Sequence, residues 1–560
     1  MNGLELTVLI GAAVLAAAVL APRLRIAAPL LLVIIGLALG FVPELREIQL
    51  PPDTVLLLFL PVMLFWESLT TSLRSIKRDF RGIVILSTLL VVATAFGVAA
   101  IAYALGMPWD AALILGAALA PPDATAAAAL GRALPHRQFM LLKAESLTND
   151  GTALVIYSIA VGVALGGRYT PLDITGLVLL SYGGGIAAGA LVAVLAYLLM
   201  RRLRDPMAIN IALLLTPFTA YLAAELIGAS GVLAVVSAGL IVAYTAGRIS
   251  TAASRRQTEW SWPLGSYLLN GALFVLIGLE VQAVAHEMEA GEIGRLLGLV
   301  VAVWIALLVI RFLFPQLTVL VIRLIDRRPS QRARRMSYRA RVVSAVAGFR
   351  GAVSLAIALS VPTVAANGEP FRGREDIVFV TAGVITLTLL AQGPLLPIVL
   401  RWADLPDDHS AETELQLAEQ KLTATAVAAL PELADEHGIS HEVRARLAQD
   451  YREHLALVEA KRTSSPSRSE RQAEALEAML ESSSSEESPE PDPRAVQLDE
   501  QGPLTRNEEY TRLRIAMLDR KRETLLRLRR TGAIDDAVAR QIQTRLDIEE
   551  LRLTGVDPLE

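Results

Sequence analysis

The chain contains no cysteine, so it offers neither a disulfide framework nor a thiolate metal site, and no redox clue to its compartment. Histidine is scarce, and none of the six (His136, His286, His409, His437, His441, His454) lies deep in an apolar run. That excludes an imidazole metal site inside a membrane. His286-Glu287 begins like a zinc-protease motif, but HEMEA has Ala290 where the second histidine must stand. No Gly-x-x-x-x-Gly-Lys-Ser/Thr loop is present to cradle a nucleotide. Gly183-Gly184-Gly185 with Gly189 lies in an apolar helix, where small residues at this spacing serve packing. Charged residues make up only 19% of the 560, less than a soluble protein of this length carries.

What fills the sequence instead is apolar surface: 53% of residues are hydrophobic and the mean hydropathy is +0.48. The distribution is uneven. Residues 1–402 hold long apolar runs, and residues 403–560 hold most of the acids. The net charge of −4 is therefore an average over two unlike parts, and it implies no nucleic-acid partner. Runs of roughly 18–25 apolar residues mark membrane-spanning helices. About thirteen are expected, near 4–21, 27–43, 52–70, 82–106, 110–130, 140–166, 174–200, 208–227, 230–247, 263–284, 294–325, 341–363 and 375–401. The first is too long for a signal-peptide core and lacks a basic leader, so it reads as a retained helix.

The basic loops set an orientation. Arg23 and Arg25, Arg74, Lys77 and Arg78, Arg132 and Arg137, Arg201, Arg202 and Arg204, Arg248, Arg255 and Arg256, and the stretch Arg323–Arg341 all fall on one side. That side is cytoplasmic by the positive-inside rule. The N-terminus is then outside, and an odd number of spans leaves the tail in the cytoplasm. The chain divides into a membrane domain, 1–402, and a cytoplasmic tail, 403–560. In the tail, 412–430, 443–461, 508–530 and 533–553 have helical periodicity. The stretch 463–502, containing SSSSEESPEPDP, is too polar to bury a core and is expected to be disordered. The simplest reading of the tail is a solvated helical assembly that self-associates. Nothing in it names a partner.

Ionisable groups at membrane depth are costly, roughly 2.5–3.5 kcal/mol each on insertion scales, and they mark functional sites. The spans carry six acids, Glu67, Asp123, Glu145, Asp150, Glu225 and Glu280. Arg350 and Arg311 are embedded bases. Arg311 lies in an overlong span, within snorkelling reach of an interface, and is given no role. Glu225 and Glu280 lie near helix ends and can reach water. In AESLTNDGTALVIY, Ser146 and Asp150 are i and i+4, while Glu145 and Asn149 form the neighbouring row. An interior with excess negative charge attracts cations and repels phosphates and carboxylates.

Two spans also break helix rules. Pro121-Pro122 removes backbone donors in the middle of the fifth span, just before Asp123. Gly348 and Gly351 flank Arg350 in the twelfth. Interrupted helices in corresponding positions of two inverted repeats, here spans 1–6 and 8–13, point to a transporter site whose freed carbonyls can face a cation. A deeply placed arginine needs a carboxylate, so Glu145 and Arg350 are expected to form a structural ion pair. Asp123 and Asp150 are left for transport.

The segments AESLTNDGTALVIYSIAV, ALAPPDATAAAALGR, YLAAELIGASGVLAVVSAGL, LNGALFVLIGLEV and GFRGAVSLAIALSVP together resemble the monovalent cation/proton antiporter family 1, which contains bacterial and eukaryotic sodium/proton exchangers. The resemblance covers about residues 10–400. It implies an all-α polytopic membrane protein of thirteen helices, a homodimer, crossing interrupted helices and elevator-like alternating access. It implies Asp150 as the main cation and proton carrier with Asn149 beside it. Asp123 and Ser146 are implied as further ligands, Glu67 as an acid near the site, and Glu145–Arg350 as a stabilising pair. One departure matters: many members have threonine where this chain has Pro122. Proline still supplies a backbone carbonyl, but not a hydroxyl, and the ion preference is open on that account.

The expected activity is exchange of a monovalent cation, sodium first and potassium or lithium as alternatives, for a proton. The amide of Asn149 cannot titrate, which favours electroneutral 1:1 stoichiometry. No cofactor is needed, and the natural setting is a bacterial inner membrane, with a role in pH homeostasis. A passive cation channel would share the acidic interior but calls for repeated sites along an open pore. A membrane-embedded enzyme is the remaining alternative.

Overall fold

The computed structural model describes residues 3–24, 26–43, 52–73, 76, 85–123, 136–248, 250–288, 290–325, 337–364, 368, 371–405, 410–463 and 502–555. Every regular element among them is a helix, and they separate into two compact units, residues 1–408 and 409–560. The stretch expected to be disordered, 463–502, falls almost wholly outside the described residues.

The first unit begins with α1 (Gly3–Leu24), α2 (Ala28–Leu39) and α3 (Pro52–Thr70). A π-helical turn at Ile85–Leu90 leads into α4 (Val91–Ala104), followed by α5 (Trp109–Leu119) and α6 (His136–Ala164). Next, α7 runs over Pro171–Met200 with a π-helical turn at Leu180–Gly184. Then come α8 (Pro206–Glu225), α9 (Gly231–Thr245), α10 (Ala252–Glu287) and α11 (Ala290–Ile325). The twelfth span is two short helices, α12 (Tyr338–Val346) and α13 (Ala352–Leu359). Finally, α14 covers Arg374–Ala403 with a π-helical turn at Thr388–Gln392.

Helix starts follow local sequence. Asp205 caps α8, accepting from the Met207 and Ala208 N–H groups, with Pro206 at the first helical position. Thr170 and Asp173 form a reciprocal capping box at α7. Ser230, Thr251 and Ser337 cap α9, α10 and α12, each side chain accepting from the backbone N–H three residues on.

Eight of these helices are long and apolar enough to cross a bilayer, and four shorter apolar helices accompany them. The split α12–α13 span makes the expected thirteen. Their outward faces are apolar: Leu15, Leu172, Leu191 and Leu226 are among many large hydrophobic side chains left exposed. In water such a surface would aggregate; in lipid it is the correct face.

The second unit consists of α15 (Ser410–Glu436), α16 (His441–Thr463), α17 (Pro503–Thr531) and α18 (Asp536–Thr554). It has two apolar clusters of its own. Leu422, Leu518, Leu525, Ile534 and Ile542 lie in one, and Leu430, Leu433, Leu447, Leu513 and Met517 in the other. Among its described residues only Leu504 is a large exposed hydrophobic. Its surface is built for water.

Candidate ion-binding site

The fifth span stops where its prolines predict. α5 ends at Leu119, and residues 120–123 leave the helix, since a residue before proline is driven out of the α region. The far half of this span lies outside the described residues. In the twelfth span, residues 347–351 are non-helical. The two interruptions touch: the Asp123 N–H donates to the Phe349 carbonyl at 2.9 Å.

Breaking a helix at membrane depth strands carbonyls with no intrahelical donor. Arg350 answers this. Its Nε donates to the Leu119 carbonyl at 2.6 Å, and its Nη1 to the Gly348 carbonyl at 2.7 Å. One guanidinium thus caps the C-terminal, partially negative ends of α5 and α12 together.

That finding corrects the expected Glu145–Arg350 pair. Glu145 pairs with Arg311 instead, Oε1 to Nη1 at 2.9 Å, with both side chains almost fully buried. Among the described residues Arg350 makes no ion pair within 4.0 Å. The expectation matched charges and overlooked the backbone acceptors that a helix break creates. Arg311 does not snorkel; its Nε donates to the Ser344 carbonyl of α12 at 3.1 Å.

Two glycines make these approaches possible. A Cβ at Gly348 would collide with the Arg311 side chain, and a Cβ at Gly351 would collide with the Asp123 carboxylate. Neither position tolerates alanine without displacing a charged group.

Around Asp123 lies a cavity of about 190 Å³, walled by α3, α6, α10, α13 and the residues that end α5. Of the residues singled out in the sequence, it brings together Glu67, Pro122, Asp123, Ser146 and Asp150. All five are buried. Glu145 and Arg350 stand outside its wall, as does Asn149. The Asn149 amide lies 3.5 Å from Glu145 Oε1 in one orientation. Turned over, it donates to the Glu145 and Ser87 carbonyls at 3.2 and 3.3 Å, which satisfies it better. Either way it serves the packing of α6 rather than the cavity.

The cavity also contains residues the sequence reading passed over: Thr70, Lys143, Ser266, Asn270 and Ser354. Lys143 was within reach of the same helical argument, because positions 143, 146 and 150 share one face of α6. Ser266 and Asn270 carried no comparable signal, since uncharged polar residues are common in long helices.

Among the described residues three buried oxygens on this wall have no hydrogen-bond partner: Glu67 Oε1, Ser266 Oγ and Asn270 Oδ1. Unsatisfied buried acceptors are rare and call for an explanation. Together with the carboxylates of Asp123 and Asp150 they form an oxygen-rich set of acceptors, the donor type that hard cations take, beside the Lys143 ammonium.

Comparison with known proteins agrees with this chemistry. The family model for the transmembrane sodium/hydrogen exchanger matches residues 9–402. The whole chain is 38% identical to an uncharacterized Na(+)/H(+) exchanger of Mycobacterium tuberculosis, covering 97% of that relative. It is 31% identical to a sodium, potassium, lithium and rubidium/H(+) antiporter of Bacillus pumilus, over 76% of this chain and 65% of the relative. Among solved structures, the sodium proton antiporter MjNhaP1 of Methanocaldococcus jannaschii shares the fold, with a TM-score of 0.53 at 21% identity over 70% of this chain and all of that one. The chain belongs to the sodium/hydrogen exchanger family, a family of membrane transporters and not of enzymes.

Proposed function

We propose that this protein exchanges sodium for protons across a bacterial cell membrane, one for one and without net charge movement. The observation that carries the reading is the set of unpartnered oxygens beside Asp123 and Asp150. A carboxylate holds either a proton or a hard cation, because both use the same oxygens. Competition for Asp150 then couples the two flows, with Asp123, Ser146 and the Pro122 carbonyl assisting the cation and Glu67 adding negative charge. Direction follows the gradients. Asn149, packed against Ser87 and Glu145, cannot carry a second proton, which supports 1:1 stoichiometry.

The Arg350 cap and the Asp123–Phe349 bond join the two broken spans, so they move together in an elevator-like cycle that exposes the cavity to each side in turn. The basic loops favour a cytoplasmic tail and an outside N-terminus. The working form is a homodimer, as the resemblance implies. The name of the Bacillus pumilus relative keeps potassium, lithium and rubidium as competing substrates.

The test is proton flux in sealed proteoliposomes, driven by each cation in turn with the membrane potential clamped. Sodium-driven flux whose equilibrium ratio is unchanged by imposed voltage supports the reading. Cation flux without proton movement indicates a channel.

A further inference from the structure

Among the described residues three carboxylates line the cavity, from Glu67, Asp123 and Asp150, and one basic side chain lines it with them: Lys143. It lies on the same face of α6 as Ser146 and Asp150, two turns before the aspartate. Its Nζ donates across the cavity to Thr70 Oγ1 of α3 at 2.5 Å. The Thr70 hydroxyl donates in turn to the Trp66 and Glu67 carbonyls, at 2.9 and 3.1 Å, so its lone pairs face the ammonium. A lysine that only needed water would extend to the end of the helix. This one is half-buried and held inside the space that the transported ion enters.

We propose that Lys143 is a tethered competitor: a fixed monovalent cation in the exchange cavity that lowers its affinity for the travelling one. This deepens the exchange reading and rests on it for the identity of the cavity. The polar groups that line the cavity with the ammonium are Glu67 and Thr70 from α3, Asp123 after α5, and Ser146 and Asp150 on its own helix. The neighbouring polar residues of α10 and α13 (Ser266, Asn270 and Ser354) are uncharged. A positive charge among these acids opposes every incoming cation, the proton included. It therefore keeps the site from trapping its cargo, and favours release over retention. The seven-residue rise from Lys143 to Asp150 is about 10 Å. At that separation, with an effective dielectric constant near 20, one unit charge changes affinity by roughly tenfold.

The charge effect has a signature that a packing role lacks. Where protons compete weakly, at alkaline pH, removing the charge strengthens cation binding. Where protons compete strongly, removal strengthens both rivals alike, and the apparent affinity moves little.

The experiment measures half-saturating sodium in two ways, by thermal stabilisation of the purified full-length protein and by sodium-driven proton flux in proteoliposomes. Lys143→Met should lower the half-saturating concentration about tenfold at alkaline pH and much less at acidic pH. Lys143→Arg, which keeps the charge, should stay near wild type. If Lys143→Met does not fold, Lys143→Gln replaces it. Wild-type half-saturation in the neutral variant at alkaline pH overturns the proposal, as does equal tightening in Lys143→Arg. Tightening by thermal stabilisation in a protein that moves no protons would sustain the competitor role and overturn the exchange reading. Normal exchange with unchanged sodium affinity would do the reverse.

Discussion

Glu145 and Arg311 form a 2.9 Å ion pair between α6 and α11, five residues before Asp150 on α6 and with both side chains almost fully buried. Removing either partner alone leaves a buried charge uncompensated, at a cost of about 3–5 kcal/mol. Glu145→Gln and Arg311→Met should each lower the melting temperature sharply, and the double variant should regain part of the loss. A double-mutant cycle measures this. Glu145 and Arg350 should couple more weakly than Glu145 and Arg311 in the same experiment; coupling of equal strength would restore the pairing read from the sequence.

Arg350→Met removes the donors to the Leu119 and Gly348 carbonyls. Each stranded acceptor costs about 1–3 kcal/mol. Lysine should rescue poorly, because a point charge cannot replace a planar fork reaching two carbonyls. Thermal unfolding of the methionine and lysine variants in one detergent compares them directly. Full rescue by lysine would show that charge alone matters.

Asp150→Asn should abolish exchange while leaving a folded protein, since an amide oxygen ligates weakly and carries no proton. Asp123→Asn should be severely impaired, with a raised cation KM in whatever flux remains. Proton flux in proteoliposomes decides both, with circular dichroism as the folding control. Retained sodium-driven flux in Asp150→Asn would remove Asp150 from the carrier role.

Gly351→Ala forces the Asp123 carboxylate aside. Overpacking of this kind costs about 1–3 kcal/mol. The more telling effect is a raised cation KM of at least several-fold, measured by flux. An unchanged KM would mean that Asp123 is not held against residue 351 in the working protein.

Deleting the chain after about residue 410 should leave exchange intact, because every residue walling the cavity lies earlier. The second unit, with two apolar clusters of its own, should unfold cooperatively when expressed alone as residues 409–560. Circular dichroism of that fragment and flux through the truncated protein are the two measurements.

Much of this architecture was legible because it depends on local chemistry. A run of apolar residues long enough for a bilayer is visible in one dimension, and so are Pro121-Pro122 and the glycines around Arg350. The face of α6 that holds Ser146 and Asp150 follows from helical spacing. What stayed hidden depends on long-range contacts or on backbone groups, which carry no letter in the sequence. The partner of Glu145 lies 166 residues away, and nothing local distinguishes Arg311 from Arg350 as its mate. The partners of Arg350 are carbonyls, which every residue has. Asn149 sits beside the key aspartate in sequence, yet one residue along a helix is a 100° rotation, enough to take it out of the cavity.

The bond from Arg350 to Leu119 spans 231 residues of sequence, and that interval is also a delay. The ribosome releases the prolines and Asp123 long before it makes the arginine that completes them. At roughly 5–20 residues per second, the wait is on the order of ten seconds or more. Until then the end of α5 sits in the membrane with carbonyls that lack their final donor. The first six spans alone are an unfinished half of the site, and assembly of the transporter is gated by the birth of its twelfth span.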